Sequence, residues 1–317
     1  MITFTTSASK LNTMDSCWEK YNLEYNRRWA PNTKAPALEH GDLIHLFFAH
    51  YYRAKLQRRW MKDESQHGIV LDEATNLCRA RAVDMDISVA DTDEDIRTAR
   101  EALLFHYRDG MEVYAVEEPF TRILYETPDT VDSTTKQEIH GIRILFEGRV
   151  DLIAKLPNSP FAVWDHKSES RKSDPSKMSN QFEGSAWAFG VKDVIINKVG
   201  FQVTKEPKEK FRRIFLNYSD KELIEEWRRD TIEKTLEAIE RHRRESRGNP
   251  RWPRNRTSCD KYSGCVYRQV CETKPTTRNV KLMTWYHIRP EYELYEQDGI
   301  DIQNRSQDTR EPEPVEG

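Results

Sequence analysis

The spacing of apolar residues changes part-way along this chain, from the three-to-four periodicity of helices to the alternation of strands. Three alternating segments rich in Val, Ile, Phe and Tyr cover residues 111–120, 142–156 and 161–167. Turn residues at 157–160 separate the last two. Because strands with helices before and after them bury their apolar faces by layering, the pattern predicts an α/β fold: a mixed central sheet flanked by helices.

Helical spacing dominates the first third of the chain. A first helix is capped by Ser7 and carries Cys17 in its middle, with an apolar stripe formed by Leu11, Met14, Trp18, Tyr21 and Tyr25. The other predicted helices cover residues 38–60, 71–107 with an acidic break at 91–95, 181–190 and 219–245, and further strands cover 194–203 and 212–218. A helical N-terminal part therefore precedes the sheet, and a long charged helix follows it.

The composition excludes several classes of protein. The 317 residues include 50 Lys and Arg against 53 Asp and Glu, so the chain is not a bulk polyanion binder. No apolar run approaches the roughly 20 residues that span a bilayer, and the first residues lack a signal peptide, which favours a cytosolic protein without a membrane partner. The sequence contains no Walker-type phosphate loop, so we expect no nucleotide cofactor.

Two acidic residues interrupt the apolar pattern of neighbouring predicted strands. Asp151 lies in the second strand, and Asp165 and Lys167 share one face of the third, opposite Trp164 and His166. If these strands pair, both carboxylates converge on one hard cation such as Mg²⁺ or Mn²⁺, with the lysine beside it. That arrangement fits hydrolysis of a phosphodiester. An Asp-x-Lys sequence on a strand also fits a surface ion pair, and spacing alone leaves both interpretations open.

An arginine-rich stretch spans residues 241–256 and contains one acid among seven arginines. A solvated helix end and a phosphate-contacting edge both explain it. The candidate phosphate contacts are Arg243, Arg244, Arg247, Arg251, Arg254 and Arg256.

The five cysteines fit poorly with a secreted disulfide framework, because their number is odd and their spacing uneven. Cys259, Cys265 and Cys271 are each separated by five residues, and Cys17 is far away in sequence. Four thiolates can hold zinc or an iron–sulfur cluster. The absence of Cys-x-x-Cys pairs disfavours zinc without settling the choice, and idle thiols remain an alternative. Cys78 is expected to be a helix core residue.

Taken together, these motifs resemble the PD-(D/E)XK nuclease superfamily. The resemblance is greatest to its RecB-like and AddB-like iron–sulfur branch, and within it to phage-type exonucleases. The matching pieces, in order along the chain, are residues 9–11 with Cys17 and Tyr21, residues 41–45, 117–120, 148–151 and 164–167, and Gln181. They span residues 7 to 271, and it is the combination that is specific.

The resemblance implies a role for each matching residue. By itself, His45 on the second predicted helix is more typical of a core residue than of a ligand. The family pattern implies that it binds Mg²⁺ or Mn²⁺ together with Asp151 and Asp165, that Lys167 is the catalytic lysine, and that Gln181 helps to place the DNA or the active site.

Two positions are less clear in that comparison. Gln181 matches the start of the family's Gln-x-x-x-Tyr motif, but Ser185 occupies the tyrosine position. This departure leaves the positioning of substrate in doubt. Glu117 or Glu118 is a candidate acidic neighbour, although the sequence favours surface glutamates on an edge strand.

The same branch carries a 4Fe-4S cluster bound by one N-terminal and three C-terminal cysteines. Cys17, Cys259, Cys265 and Cys271 match that arrangement, which implies a structural cluster that ties the chain ends together. The implied division is a single nuclease domain over 1–300 with a disordered tail over 301–317. Within it, 1–107 is the helical part, 108–218 the catalytic core, and 219–300 the helix and cluster-binding segment.

The resemblance therefore implies a metal-dependent DNA exonuclease in the cytosol of a bacterium or a phage-infected cell. It would act in recombination, repair or phage DNA processing on linear ends or single strands, with a strand-annealing or single-strand-binding protein as partner. A CRISPR-adaptation nuclease has the same residues. A catalytically idle iron–sulfur protein that binds DNA ends is the alternative from a different class.

Overall fold

The computed structural model describes residues 1–32, 36–57, 65–106, 109–169, 175–200, 206–249, 251–260 and 264–290. The predicted tail over 301–317, the predicted helix end at 60 and the strand end at 201–203 lie outside the described residues. None of the helices within these ranges has the length and apolar character that a membrane crossing requires.

The secondary structure follows the predicted order. The helices are α1 Ala8–Ser16, α2 Trp18–Tyr21, α3 Pro36–Leu56, α4 Ser65–Asp84, α5 Val89–Phe105, α6 Asn180–Phe189, α7 Pro207–Lys210, α8 Lys221–Ser246, α9 Arg268–Glu272 and α10 Arg278–Trp285. The strands are β1 Ile2–Thr6, β2 Trp29–Pro31, β3 Glu112–Glu126, β4 Thr130–Val131, β5 Glu138–Ile139, β6 Ile142–Lys155, β7 Ala162–Glu169, β8 Asp193–Gly200, β9 Phe211–Asn217 and β10 Tyr286–Ile288.

Two local predictions were wrong. Cys17 does not lie within a helix: Ser7 caps α1 as predicted, but Cys17 has an extended backbone between α1 and α2. The acidic run at 91–95 does not break a helix either, because α4 ends at Asp84 and α5 starts after Ser88. Ser88 accepts a hydrogen bond from the Asp91 backbone N–H, and acidic residues in a first turn interact favourably with the helix dipole.

The predicted mixed sheet is confirmed, and β6 lies at its centre. One edge of β6 pairs with antiparallel β3 along almost its whole length. The other edge has two partners, with β1 parallel to residues 142–146 and β7 antiparallel to residues 152–154. Beyond them, β8 runs parallel to β7, and β9 runs antiparallel to β8. The sequence did not predict β1, whose five residues include three threonines and carry little apolar signal.

This topology leaves an opening on one edge of β6. The pairing of β1 stops at Phe146 and that of β7 stops at Leu152, so β6 changes partner between them. Among the described residues, no strand pairs with that edge over residues 147–151. We call this opening, at residues 147–151, the notch.

Helices cover both faces of the sheet and form two cores. On one face, α3, α4 and α5 pack against a group that includes Leu152 and Trp164. On the other face, α6 and α8 pack against Phe146, Val163 and Ile196. Neighbouring residues such as Val163 and Trp164 thus enter opposite cores, as the alternation of strand side chains requires.

Two helical glycines test how tightly these cores are packed. A Cβ at Gly184 in α6 would lie 2.4 Å from Phe146 Cζ, whereas among the described residues no heavy atom lies within 4 Å of a Cβ at Gly68 in α4. We expect Gly184→Ala to lower the free energy of unfolding by about 1–3 kcal/mol through overpacking. Gly68→Ala is expected to raise it by about 1 kcal/mol through helix propensity. Urea denaturation measures both; equal effects of the two substitutions would contradict this packing.

Candidate active site

Asp151 lies where β6 and β7 diverge at the notch. Ladder pairing between the two strands ends at Leu152 and Trp164. Just beyond this point, the Asp151 carboxylate accepts a hydrogen bond of 2.6 Å from the backbone N–H of His166. A side chain thus replaces the strand partner that the N–H lacks, which places the carboxylate beside the segment that carries Asp165.

Glu117 approaches Asp151 from the opposite edge of β6. Its position on β3 lies between the pairs Val116–Leu152 and Glu118–Val150. Its backbone has a positive φ of 54°, which is unusual for a residue with a side chain. The glutamate side chain is only 16 % exposed, so it is not the surface residue that the sequence favoured. Only the strand register shows that it lies opposite Asp151.

His45 completes a group of three possible cation ligands. It projects from α3, and its Nδ1 lies 3.4 Å from Asp151 Oδ2. One ligand atom from each of His45, Glu117 and Asp151 lies within 4.8 Å of the other two. Carboxylate oxygens with one imidazole suit Mn²⁺, and the oxygens alone suit Mg²⁺.

Asp165, Lys167 and Gln181 form the other half of the site. Lys167 Nζ lies 3.2 Å from Asp165 Oδ2 and donates a hydrogen bond of 3.1 Å to Gln181 Oε1. Gln181 Nε2 in turn donates to Asp165 Oδ1 at 2.6 Å. Asp165 is only 5 % exposed, with the Lys167 ammonium group against its Oδ2 and the Gln181 amide against its Oδ1. A buried carboxylate held in this way retains lone pairs that a cation can use.

The charges within the site act strongly on one another. Burial raises the pKa of Asp165 to about 6, although Lys167 opposes the shift. Burial disfavours protonated His45, but the Asp151 carboxylate outweighs it and raises the pKa of His45 to about 9. Burial and repulsion from Asp151 raise the pKa of Glu117. Protons thus partly neutralise the carboxylates in the absence of a metal.

His166 points to the other face of β7, as the alternation predicts. Its ring stacks on Tyr52 at a centroid distance of 5.5 Å, and its Nδ1 lies 3.2 Å from Asn197 Nδ2. Burial lowers the pKa of His166 to about 3, so the ring is neutral in the folded protein. His166 therefore anchors β7 to α3, while its backbone N–H holds Asp151.

Comparison with known proteins places this chain in a family. A model described as the PD-(D/E)XK nuclease superfamily matches residues 5–272, most of the chain. The chain belongs to the PD-(D/E)XK nuclease superfamily. It is therefore a metal-dependent nuclease, a hydrolase of phosphodiester bonds, with DNA as its class of substrate.

Individual relatives are more distant. A search of curated proteins finds no match. The crystal structure of SSO0001 is 16% identical over 61% of this chain and 73% of that chain, with a TM-score of 0.25. A protein named "Putative exonuclease" from Eubacterium rectale is 13% identical over 84% of this chain and 88% of that chain, with a TM-score of 0.45. Neither similarity is high enough to support an argument about fold or activity.

At Ser185 this chain differs from the Gln-x-x-x-Tyr motif that begins at Gln181, because serine occupies the tyrosine position. Its hydroxyl donates a hydrogen bond of 2.8 Å to the backbone carbonyl of Gln181 within α6. The Ser185 side chain therefore makes a hydrogen bond within α6, one turn after Gln181, whose side chain contacts Lys167 and Asp165.

Four of this nuclease's cysteines surround one cavity. Cys17, Cys259, Cys265 and Cys271 all line a cavity of about 560 Å³. Cys78 lies elsewhere, buried against α3, where its thiol donates to the Leu43 carbonyl. The structure thus brings together the cysteines that the sequence grouped, and it places the fifth in the helical core.

The arginine-rich stretch is partly occupied by contacts within the protein. Arg244 pairs with Glu240, and Arg254 donates to the Cys271 carbonyl. Arg254 and Arg256 also line the cavity that the four cysteines surround. Their role as phosphate contacts stays a prediction.

The proton on His45 makes a test of cation binding possible. Coordination requires a neutral imidazole, so at pH 7 a bound Mn²⁺ must displace the proton that His45 holds below its pKa of about 9. We expect the affinity for Mn²⁺ to rise about tenfold per pH unit between pH 7 and 9. Calorimetry in two buffers of different ionisation enthalpy counts the protons released, and His45→Asn should release about one fewer. An affinity that does not change with pH would contradict the arrangement.

Proposed function

We propose that this nuclease is a RecB-like exonuclease, which degrades DNA from its ends in the presence of Mg²⁺ or Mn²⁺. The observation that carries the proposal is the convergence of Asp151, Asp165 and Lys167 at the notch, with His45 reaching them from α3. Such a site binds a hard cation next to an ammonium group, as phosphodiester hydrolysis requires.

His45, Asp151 and Asp165 would hold the cation in this proposal. The cation would polarise the phosphodiester and lower the pKa of a bound water. The burial of Asp165 beside Lys167 supports this ligand set, because a buried carboxylate requires positive charge near it. The hydrogen bond from the His166 backbone to Asp151 holds the second carboxylate in place.

Lys167 and Gln181 would act on the substrate side of the same site. Lys167 would orient the attacking water or stabilise the negative charge that develops on the phosphate, since its ammonium group lies beside both Asp165 and Gln181. Gln181 accepts from the lysine and donates to the aspartate, so it would hold the two groups at a constant separation.

Digestion by an end-dependent enzyme distinguishes linear from circular DNA. We expect end-labelled linear DNA to be degraded with Mg²⁺ or Mn²⁺ and closed circular DNA to resist. Lys167→Ala should lower the rate by at least about 100-fold, because a charge-stabilising donor is lost. Lys155→Ala is the matched control, since this exposed lysine on β6 pairs with Glu112 away from the notch.

The outcomes separate the alternatives. Cleavage of circles at a rate comparable with that of linear DNA would contradict the exonuclease proposal and leave an endonuclease. Binding of DNA ends without cleavage in either metal would replace it with the catalytically idle binding protein.

We also propose that Cys17, Cys259, Cys265 and Cys271 bind a 4Fe-4S cluster. Among the described residues, no three of these sulfur atoms lie within 4.8 Å of one another. A single zinc bound at about 2.3 Å from each sulfur would hold them about 4 Å apart, so the wider spacing favours a larger group. Four basic residues and two acidic residues also line the cavity, so its charged lining has an excess of positive charge that suits an anionic cluster: Lys20, Arg254, Arg256 and Arg268 against Asp260 and Glu272.

The cluster would have a structural role. Cys17 follows α1, and the other three cysteines follow the long helix α8, so a shared cluster would join the two ends of a single nuclease domain. The backbone N–H of Asn255 already donates to Cys17 Sγ at 3.4 Å. Hydrogen bonds of this kind stabilise cluster sulfurs.

Iron and sulfide analysis tests this assignment. Protein purified without oxygen is expected to carry about four iron and four sulfide ions per chain. Cys17→Ser and Cys271→Ser should each lose them and melt at a lower temperature, because the cluster no longer reinforces the contact between the N-terminal and C-terminal segments. Cys78→Ala should keep the full iron content, as its thiol lies in the core of α3 and α4. Bound zinc without iron in the wild-type protein would contradict the proposal.

The biological setting follows from the same resemblance. We propose that the protein acts on linear ends or single strands during recombination, repair or phage DNA processing, in the cytosol. A strand-annealing or single-strand-binding protein is the partner that such digestion would supply with substrate.

A further inference from the structure

The candidate site presents an electrostatic problem to its substrate. Glu117, Asp151 and Asp165 place three carboxylates around the notch, and the whole chain has a net charge of −3. A DNA backbone approaching these carboxylates is repelled unless positive side chains lie near the entrance. The local placement of cations therefore decides where the phosphates bind.

Arg149 lies at this entrance. It precedes Asp151 by two residues on β6, and its Nε lies 3.2 Å from Glu117 Oε2. Its side chain is 41% exposed, so the guanidinium meets both the cluster and the solvent. An arginine has five N–H donors in a planar fork, more than one carboxylate accepts, and this fork matches the geometry of a phosphate.

Arg53 adds a second positive charge from another element. It is exposed on α3, eight residues after His45 and therefore about two helical turns further along. Its charge acts on the same Glu117 carboxylate that Arg149 contacts. Arg53 is therefore an exposed cation on the helix that carries His45, within electrostatic reach of the carboxylate that Arg149 contacts.

The arginine-rich stretch at 241–256 is a weaker candidate for these contacts. Arg241 pairs with Glu237 and lies over the ring of Trp18, and Arg244 pairs with Glu240. These arginines stabilise α8 and its contact with the N-terminal segment. Unlike Arg149, neither of them contacts a carboxylate of the candidate site.

We infer that Arg149 and Arg53 form a phosphate-binding pair that holds the DNA backbone at the entrance to the site. The inference rests on the proposed function, because it names the part of the substrate that the same site recognises. Glu117 orients Arg149 towards the entrance. The two arginines attract the DNA phosphates, which the carboxylates of the site repel.

The salt dependence of DNA binding tests the pair directly. The logarithm of the binding constant falls linearly with the logarithm of the salt concentration, with a slope of about −0.9 for each phosphate neutralised on duplex DNA. We expect Arg149→Gln and Arg53→Gln each to reduce the magnitude of the slope by about 0.9, and the double variant by about 1.8. Fluorescence anisotropy of a labelled linear duplex in EDTA measures the slope without cleavage.

The structure offers a closely matched control. Arg143 lies on the same strand, pairs with Glu126 at 2.9 Å and has a side-chain exposure of 38%, but it is near the start of β6, outside the notch. Arg143→Gln should leave the slope unchanged, as should Arg244→Gln. Arg149→Lys keeps the positive charge and should retain the slope, which separates the loss of charge from a loss of folding.

Two results would overturn the inference. One is an unchanged slope in Arg149→Gln. The other is an equal reduction in Arg143→Gln or Arg244→Gln, which would show that the contacts are spread over the surface. Because binding is measured in EDTA, the test does not depend on cleavage. Failure of the phosphate-binding inference is therefore distinguishable from failure of the proposed nuclease activity.

Discussion

The burial of carboxylates in a sheet is the constraint on which the rest of this structure depends. A carboxylate removed from water is costly unless donors or cations surround it. Asp151 is compensated by the His166 backbone and by His45, and Asp165 by Lys167 and Gln181. These compensating groups come from β7, α3 and α6. The two buried carboxylates therefore require these three elements to lie close together.

The two cores make this arrangement rigid enough to hold a cation site. Trp164 enters the core beneath α3, and Phe146 enters the core beneath α6. The helices that deliver His45 and Gln181 are thus held by fully buried aromatic residues on opposite faces of the sheet. The positive φ of Glu117 shows a local conformational cost at the same place. Such a cost persists only where the surrounding structure over-determines the backbone.

Two segments that are far apart in sequence, around Trp29 and Tyr286, meet independently of the four cysteines. β2 pairs with β10, and the hydroxyl of Tyr267 donates to the carbonyl of Trp29. A small core that includes Leu23, Tyr267 and Leu282 packs between these segments. Any group bound by the thiols would therefore reinforce a contact that apolar burial and strand pairing already make. The cysteine cavity lies beside this contact, remote in sequence from the catalytic strands.

The sequence by itself determined the main helices and strands of this protein and most residue types of its site. Periodicity predicted β6, β7, α6 and α8, and alternation placed Asp165 and Lys167 on one face, because both properties depend on residues close together in the chain. Only the tertiary structure decided which partners meet. The register that brings Glu117 opposite Asp151, the pairing of β1 with β6 and the extended backbone of Cys17 all depend on contacts between distant segments. Such contacts leave no periodic signal, since strand pairing and cavity geometry are properties of the packed chain and not of any single segment.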